Sequence, residues 1–172
     1  NNSPHYGGKM SNFEGGTVVP MMMQWNKKIK PQTNYTQMVS LLDIVPTILD
    51  AVESPSLSNK YDGVSLLPFL DSNIDKPHNE LFWKTGYVKS IISENFKLHI
   101  NEKENFKFLI NLIDDPGERN NLISKYPEKA EELTLKWNNW NKGLQQPKWD
   151  SNADVKIPVD NSENSKRYYF PW

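Results

Sequence analysis

The chain has 172 residues, of which 37% are hydrophobic and 24% are charged, and its formal net charge is -1. This balance gives no electrostatic basis for binding nucleic acid or an anionic membrane surface, so neither is expected as a partner. The absence of cysteine excludes disulfides and thiolate metal ligands. Because the first residues, Asn1-Asn2-Ser3-Pro4, do not resemble a natural start, we expect the C-terminal part of a longer protein.

Two glycine pairs flank a lysine and a glutamate near the start of the chain. Paired glycines let backbone N–H groups approach a ligand closely. A lysine between such turns is a compact cation suited to sulfate or phosphate. A glycine-rich turn with a solvated lysine has the same pattern, so spacing alone leaves both interpretations open. The stretch is Gly7-Gly8-Lys9-Met10-Ser11-Asn12-Phe13-Glu14-Gly15-Gly16.

The next residues predict a strand and a helix. The apolar stretch 17–25 favours a strand buried on both faces, with its three methionines in the core or, alternatively, lining a ligand groove. A polar surface loop is expected at 26–36. Ser40 and Asp43 have the spacing of a capping box and predict a helix that ends near residue 52. Its apolar side chains surround most of the circumference, so we expect a well-buried helix in which Asp43 is structural.

The pattern changes after the polar segment 71–78, which indicates a boundary between two parts, 1–76 and 77–172. Short strands separated by tight turns follow and predict an antiparallel meander. These strands are expected at 81–84, 87–93, 96–101 and 106–112.

A helix over about 128–142 is expected to pack on this meander. Pro127 is suited to opening it, and Gly143 to ending it. Its apolar stripe consists of Ala130, Leu133, Trp137 and Trp140. The tail from 145 onward has no periodicity and predicts an extended segment whose aromatic end packs on the body of the protein.

Six short motifs follow one another along the chain. They are Gly8-Lys9 with Glu14-Gly15-Gly16 and Val19-Pro20; Ser40-Leu41-Leu42-Asp43-Ile44-Val45-Pro46-Thr47-Ile48-Leu49-Asp50; Asp62-Gly63-Val64-Ser65-Leu66-Leu67-Pro68; Leu81-Phe82-Trp83; Phe96-Lys97-Leu98; and Leu112-Ile113-Asp114-Asp115-Pro116-Gly117-Glu118 with Asn121-Leu122. In this order they resemble the motifs of the type I sulfatases, which are formylglycine-dependent enzymes of the alkaline-phosphatase-like superfamily. The resemblance implies an α/β fold: the C-terminal part of an alkaline-phosphatase-like sulfatase domain, followed by a small antiparallel β-sheet subdomain with a C-terminal helix.

The resemblance implies roles for three residues. Lys9 matches the lysine that binds the sulfate group in this family. Asn1 matches the second member of an Asp-Asn pair that ligates Ca²⁺, although Asn2 replaces the glycine that usually follows. His5 lies in a loop where sulfatases often place substrate-contacting residues. A solvated loop asparagine and a surface histidine are the alternatives. Val18 stands where the family usually has an arginine, so any contact of that arginine is lost here.

The nucleophile of the implied reaction is not in this chain. Type I sulfatases form formylglycine from Cys or Ser in a C/S-x-P-x-R motif, and no such motif occurs here. The nucleophile and the other Ca²⁺ ligands are expected upstream, in the rest of the same polypeptide, so this chain is expected to be catalytically incomplete.

The implied activity is hydrolysis of a sulfate monoester, with a sulfated saccharide as the expected substrate. Two alternatives remain. The first is a phosphonate or phosphodiester hydrolase of the same superfamily, and the second is a non-catalytic glycan-binding module. If the protein follows the habit of this family, it is exported to the periplasm or secreted.

Overall fold

A computed structural model of the chain describes residues 2–54, 61–70, 76–146 and 148, together with the backbone of two strands in the tail. These residues form two compact units. The first unit combines Asn1–Val19 with Phe82–Trp172, and the second is Pro20–Leu81. The predicted division into a catalytic-domain part, 1–76, and a C-terminal subdomain, 77–172, stays a prediction.

A four-stranded sheet in the order β1-β2-β3-β4 is the framework of the first unit. Strands β2 and β3 pair antiparallel with Ile91 opposite Leu98, and β3 and β4 pair antiparallel with Leu98 opposite Leu109. The predicted meander is confirmed, and its strand ends differ from the prediction by no more than one residue. The strands are β1 Glu80–Thr85, β2 Val88–Ser93, β3 Phe96–Asn101 and β4 Phe106–Asn111.

One face of this sheet packs against a helix, Pro127–Asn141, which is α3 below. Trp137 is fully buried, and its indole N–H donates to the Trp83 carbonyl at 3.1 Å. Trp140 is half-buried and stacks on Phe82. The predicted apolar stripe therefore faces the sheet, as expected. The buried side chains of this core are Ile91, Leu98, Ile100, Leu109, Ala130, Leu133 and Trp137.

The opposite face of the sheet is covered by the segment that contains the glycine pairs. Phe13 is buried there against Val88, Phe108 and Ile110. A one-turn helix, α1, follows at Glu14–Thr17. Because alternate strand residues point to opposite faces, the central strand β3 directs apolar side chains to α3 and polar ones to this segment.

The second unit is organised around Asp43, whose side chain is fully buried. The predicted capping box is confirmed, because Ser40 and Asp43 satisfy each other's backbone N–H groups at the start of a 3₁₀ turn, Leu41–Asp43. The carboxylate also accepts from the Val64 N–H at 2.9 Å and contacts the His78 ring at 2.8 Å. The predicted structural role of Asp43 agrees with these contacts. Helix α2 follows at Ile44–Ala51.

Two predictions about the second unit and the segment before it are wrong. Residues 18–25 form neither helix nor strand, and the three methionines are exposed, with Met22 at 97%. Helix α2 buries only Thr47 fully, and its apolar residues Val45 and Ile48 are exposed, as are Leu41 and Leu42 in the 3₁₀ turn before it. The prediction failed because apolar character identifies side chains that favour burial but does not identify what covers them.

The tail contains two antiparallel strands, β5 Asp154–Pro158 and β6 Arg167–Pro171. Its extended character was expected, but the predicted packing of its aromatic side chains lies outside the described residues. In the described part of the chain, no helix combines the length and apolarity needed to cross a bilayer.

Candidate functional site

The segment from Tyr6 to Gly16, called the Lys9 loop below, is closed by its own backbone. The Gly15 N–H donates to the Tyr6 carbonyl at 2.7 Å, and the Ser11 N–H donates to the Gly8 carbonyl at 3.0 Å. A Cβ at Gly15 would lie 2.4 Å from the Tyr6 oxygen, and one at Gly16 would lie 2.1 Å from the Ser11 oxygen. These two glycines are therefore required by the close approach of one part of the loop to another.

Lys9 lies in a turn of this loop and is exposed. Ser11 fixes the turn from inside, since its hydroxyl donates to the Gly8 carbonyl at 2.9 Å and also accepts from the Gly8 N–H at 3.2 Å. Asn2 fixes the two ends of the loop by donating its side-chain amide to the carbonyls of Gly7 and Gly15. Among the described residues, Lys9 itself makes no hydrogen bond or ion pair.

His5 and Asn1 were the other predicted site residues. His5 is half-buried and lies four residues before Lys9 in the same segment. Its Nδ1 atom is buried and has no hydrogen-bond partner among the described residues. Because buried polar atoms are normally hydrogen-bonded, this unsatisfied nitrogen is the feature of His5 that calls for an explanation. Asn1 lies outside the described residues, so its predicted role as a metal ligand stays a prediction.

A buried ionic cluster of Glu14, Lys97, His99 and Glu118 lies where the Lys9 loop meets the sheet. The side chains of Lys97 and Glu118 are both 0% exposed. Lys97 Nζ donates to Glu14 Oε1 at 2.7 Å and lies 3.2 Å from Glu118 Oε1. Glu118 Oε2 accepts from the backbone N–H of Glu14 at 2.6 Å. The Glu-Gly-Gly motif is thus held by residues from two of the other motifs.

The histidine of the cluster is neutral. Burial is the main reason why the pKa of His99 falls from 6.5 to about 4, with the nearby Lys97 charge acting in the same direction. Its Nε2 lies 3.2 Å from Glu118 Oε1, and its Nδ1 lies 2.7 Å from Ser90 Oγ. Because a carboxylate can only accept, Nε2 carries the proton and Nδ1 accepts from the serine hydroxyl.

Glu118 remains ionised in this cluster. Burial by itself raises the pKa of the Glu118 carboxyl, but the hydrogen bond from His99 and the charge of Lys97 outweigh it. The resulting pKa lies below its usual value. Both oxygens of the Glu118 carboxylate therefore have partners, because Oε1 meets Lys97 and His99 and Oε2 accepts from the Glu14 N–H.

The expected Ca²⁺ site is not formed by the described residues. None of their His, Asp and Glu side chains come together in a group of three or more that could hold a metal ion. In the ionic cluster, Glu14 Oε1 pairs with Lys97, and both oxygens of Glu118 meet Lys97, His99 or the Glu14 N–H. The described residues present an exposed cation, Lys9, and a half-buried histidine, His5, four residues apart in one segment.

This architecture and this loop are those of the C-terminal part of a sulfatase. A family model described as N-sulphoglucosamine sulphohydrolase, C-terminal, matches residues 6–143. The chain belongs to this family, and the resemblance drawn from its motifs is confirmed. The predicted fold class, the C-terminal part of an alkaline-phosphatase-like sulfatase with an antiparallel sheet and a helix, is confirmed as well.

Individual relatives agree with this assignment. A protein named Sulfatase from Formosa agariphila is 32% identical over 98% of this chain and 35% of its own length. Arylsulfatase K of Gallus gallus is 30% identical over 73% of this chain and 26% of its own length. The crystal structure of Ps i-CgsB, 26% identical, superposes with a TM-score of 0.75 over 87% of this chain and 34% of that one. The chain thus spans about a third or less of the length of these relatives.

Sequence reasoning predicted Lys9 and His5 as site residues, which stays a prediction, and it missed the ionic cluster. Each member of the cluster except His99 belongs to one of the motifs that carry the family resemblance. Glu14 and Glu118 are 104 residues apart in the sequence, and Glu14 and Lys97 are 83 residues apart. The available signal was the presence of charged residues in otherwise apolar motifs, because a charge in such a context needs a partner.

Proposed function

We propose that this chain is the C-terminal part of a sulfatase that hydrolyses sulfate monoesters, and that Lys9 binds the sulfate group. The observation that carries the proposal is an exposed lysine, without a partner among the described residues, on a loop closed by its own hydrogen bonds. Such a lysine keeps its full charge for an external anion while its backbone is held in place. Membership of the family supports sulfate as that anion.

The contribution of Lys9 is electrostatic. Cleavage of the S–O bond redistributes negative charge over the sulfate and leaving-group oxygens. An ammonium already positioned beside them stabilises the transition state more than the bound substrate. The nucleophile would be a formylglycine in the rest of the same polypeptide, and Asn1 would be one ligand of a Ca²⁺ ion that would offset negative charge on the sulfate oxygens. His5, from the same segment as Lys9, is proposed as a substrate contact.

The proposed substrate is a sulfated saccharide. Ps i-CgsB, the solved structure introduced above, has also been determined in complex with k-i-k-neocarrahexaose, at the same 26% identity to this chain. A saccharide ligand on a protein with this fold supports the same class of ligand here.

Replacement of Lys9 by alanine in the full-length enzyme tests the proposal. Loss of one charge-assisted donor to a developing anion lowers kcat roughly 10²- to 10³-fold. Lys9→Arg should restore part of the rate, because a guanidinium keeps the charge but places it in a planar fork rather than at a compact ammonium. Steady-state kinetics on an aryl sulfate, with the melting temperature recorded alongside, measures both effects.

Lys30→Ala is the matched control, because Lys30 is another exposed lysine in a loop of the described chain. It should leave kcat unchanged. A near-normal kcat for Lys9→Ala would show that Lys9 is an ordinary turn residue and would overturn its proposed role. Faster turnover of a phosphonate or phosphodiester than of any sulfate ester would overturn the proposed reaction itself.

A further inference from the structure

The position of Lys9 depends on how its loop is attached to the sheet. Within the described residues, the loop has two main connections to the face of the sheet opposite α3. Phe13 packs in the core, and Glu14 enters the buried ionic cluster. Phe13 contacts the ring of His99 at 4.4 Å between centroids, so the two connections touch each other. A change in the ionic cluster is therefore transmitted directly to the loop.

Glu118 supplies the hydrogen-bond acceptor for the Glu14 N–H, which the loop itself does not supply. The backbone N–H of Glu14 begins helix α1, and the preceding residue, Phe13, offers no side-chain acceptor to that helix. The Glu118 carboxylate accepts this N–H at 2.6 Å. A buried N–H without an acceptor is costly, so the loop is most stable where it meets Glu118.

Contacts outside the Lys9 loop fix the position of Glu118. It follows the turn after β4, and its backbone N–H donates to the Asp115 carbonyl at 3.0 Å. Its second carboxylate oxygen is fixed from β3 by Lys97 and His99, each at 3.2 Å. The acceptor is thus held by contacts with strand β3 and with its own turn, and not by the Lys9 loop.

We propose that Glu118 is a positioning residue for the proposed sulfatase reaction. Its carboxylate holds the Lys9 loop on the sheet through the Glu14 N–H, and this contact sets the position of the Lys9 ammonium. This inference rests on the function proposed for Lys9. Glu118 does not touch the substrate; it acts through Glu14 and the loop. Lys97 assists by holding the Glu14 side chain from the same strand as His99.

A pair of substitutions separates positioning from bulk stability. Glu118→Leu removes the acceptor but leaves Lys97 paired with Glu14, so no uncompensated charge is created. Glu118→Gln keeps an oxygen for the Glu14 N–H. Its amide group can donate to His99 if the imidazole proton moves to Nδ1, because the Ser90 hydroxyl can accept as well as donate. Glu118→Gln should therefore resemble the parent protein more closely than Glu118→Leu does.

The experiment combines hydrogen exchange with kinetics on the full-length enzyme. In Glu118→Leu, amide exchange in peptides covering residues 7–17 should rise by about tenfold, the effect of losing one hydrogen bond. Peptides from β3 and β4 should remain protected. Because a displacement of about 1 Å can slow catalysis by up to about 10²-fold, kcat should fall by about that factor. Glu118→Gln should recover most of the protection and of the rate. Glu132→Leu, an exposed ion-paired glutamate on α3, is the matched control.

The outcomes separate this inference from the proposed function. Unchanged exchange in the loop of Glu118→Leu, or faster exchange throughout the sheet, would overturn the positioning role even if Lys9 is essential. Equal effects of the leucine and glutamine variants would also overturn it, because the acceptor would then be irrelevant. Normal turnover by Lys9→Ala would instead overturn the proposed function, whatever the loop does.

Discussion

His99 links the stability of the first unit to pH. Its ring faces Glu118 from the turn after β4, Lys97 on its own strand, Ser90 on β2 and Phe13 from the Lys9 loop. Above pH 6.5 the imidazole is neutral in both the folded and the unfolded protein, so it adds no pH dependence. Between pH 6.5 and about 4 the unfolded chain binds a proton that the folded protein does not. The free energy of unfolding should fall by up to about 3 kcal/mol over this range.

The lowered pKa of Glu118 acts in the same direction at still lower pH, because its stabilising charge is lost as the carboxylate is protonated. Replacement of His99 by glutamine, which can donate to Glu118 and accept from Ser90, should flatten the upper part of this decline. Melting temperatures between pH 7 and pH 4 measure the slope. Lys107→Gln, at an exposed position on the neighbouring strand, should keep the slope of the parent protein. Identical slopes for His99→Gln and the parent would contradict the prediction.

At the scale of elements, α3 is the helix that the sequence predicts best. Its stripe has the helical period, and each side chain of the stripe reaches the sheet. Trp137→Ala should lower the free energy of unfolding by about 3–5 kcal/mol, because it leaves a cavity and removes the donor to the Trp83 carbonyl. Leu135→Ala, on the exposed side of the same helix, should change it by no more than about 0.5 kcal/mol. Chemical denaturation compares the two variants, and equal losses would show that α3 does not pack as described.

The elements that sequence reasoning mispredicted share a physical cause. The strands β2, β3 and β4 pair with their neighbours in sequence through short turns, so their pattern and their partners lie in one stretch of chain. A buried strand at residues 18–25 needed partners that its own sequence does not contain. Helix α2 was recognised by its capping box, a local signal, but its burial depends on contacts that no local signal encodes.

The candidate site divides in the same way. Lys9 and His5 could be identified because the glycine pairs and the adjacent loop form one short motif. The role of Glu14 could not be predicted, because its partners Lys97 and Glu118 come from the middle and the end of the first unit. The charged side chains of Glu14, Lys97 and Glu118, which belong to three different motifs, contact one another in the structure. Lys9 differs from them in having no such partner among the described residues.

At the scale of the whole molecule, the question is whether this chain can act alone. The residues proposed to meet the sulfate group are a lysine and a histidine, and neither supplies a formylglycine. No C/S-x-P-x-R motif is present to generate one. Binding without a nucleophile gives no turnover, so the interactions proposed for Lys9 are expected to produce none in this chain alone.

The purified 172-residue chain should therefore hydrolyse no aryl sulfate, even when it is folded. Circular dichroism checks the folding of the sheet and of α3, and product release in the presence of Ca²⁺ measures turnover. The Lys9→Ala form of the same chain is the control, because any contaminating sulfatase would be equally active in both preparations. Turnover by the parent chain above that of the control would contradict the prediction, because it would place a nucleophile within these residues.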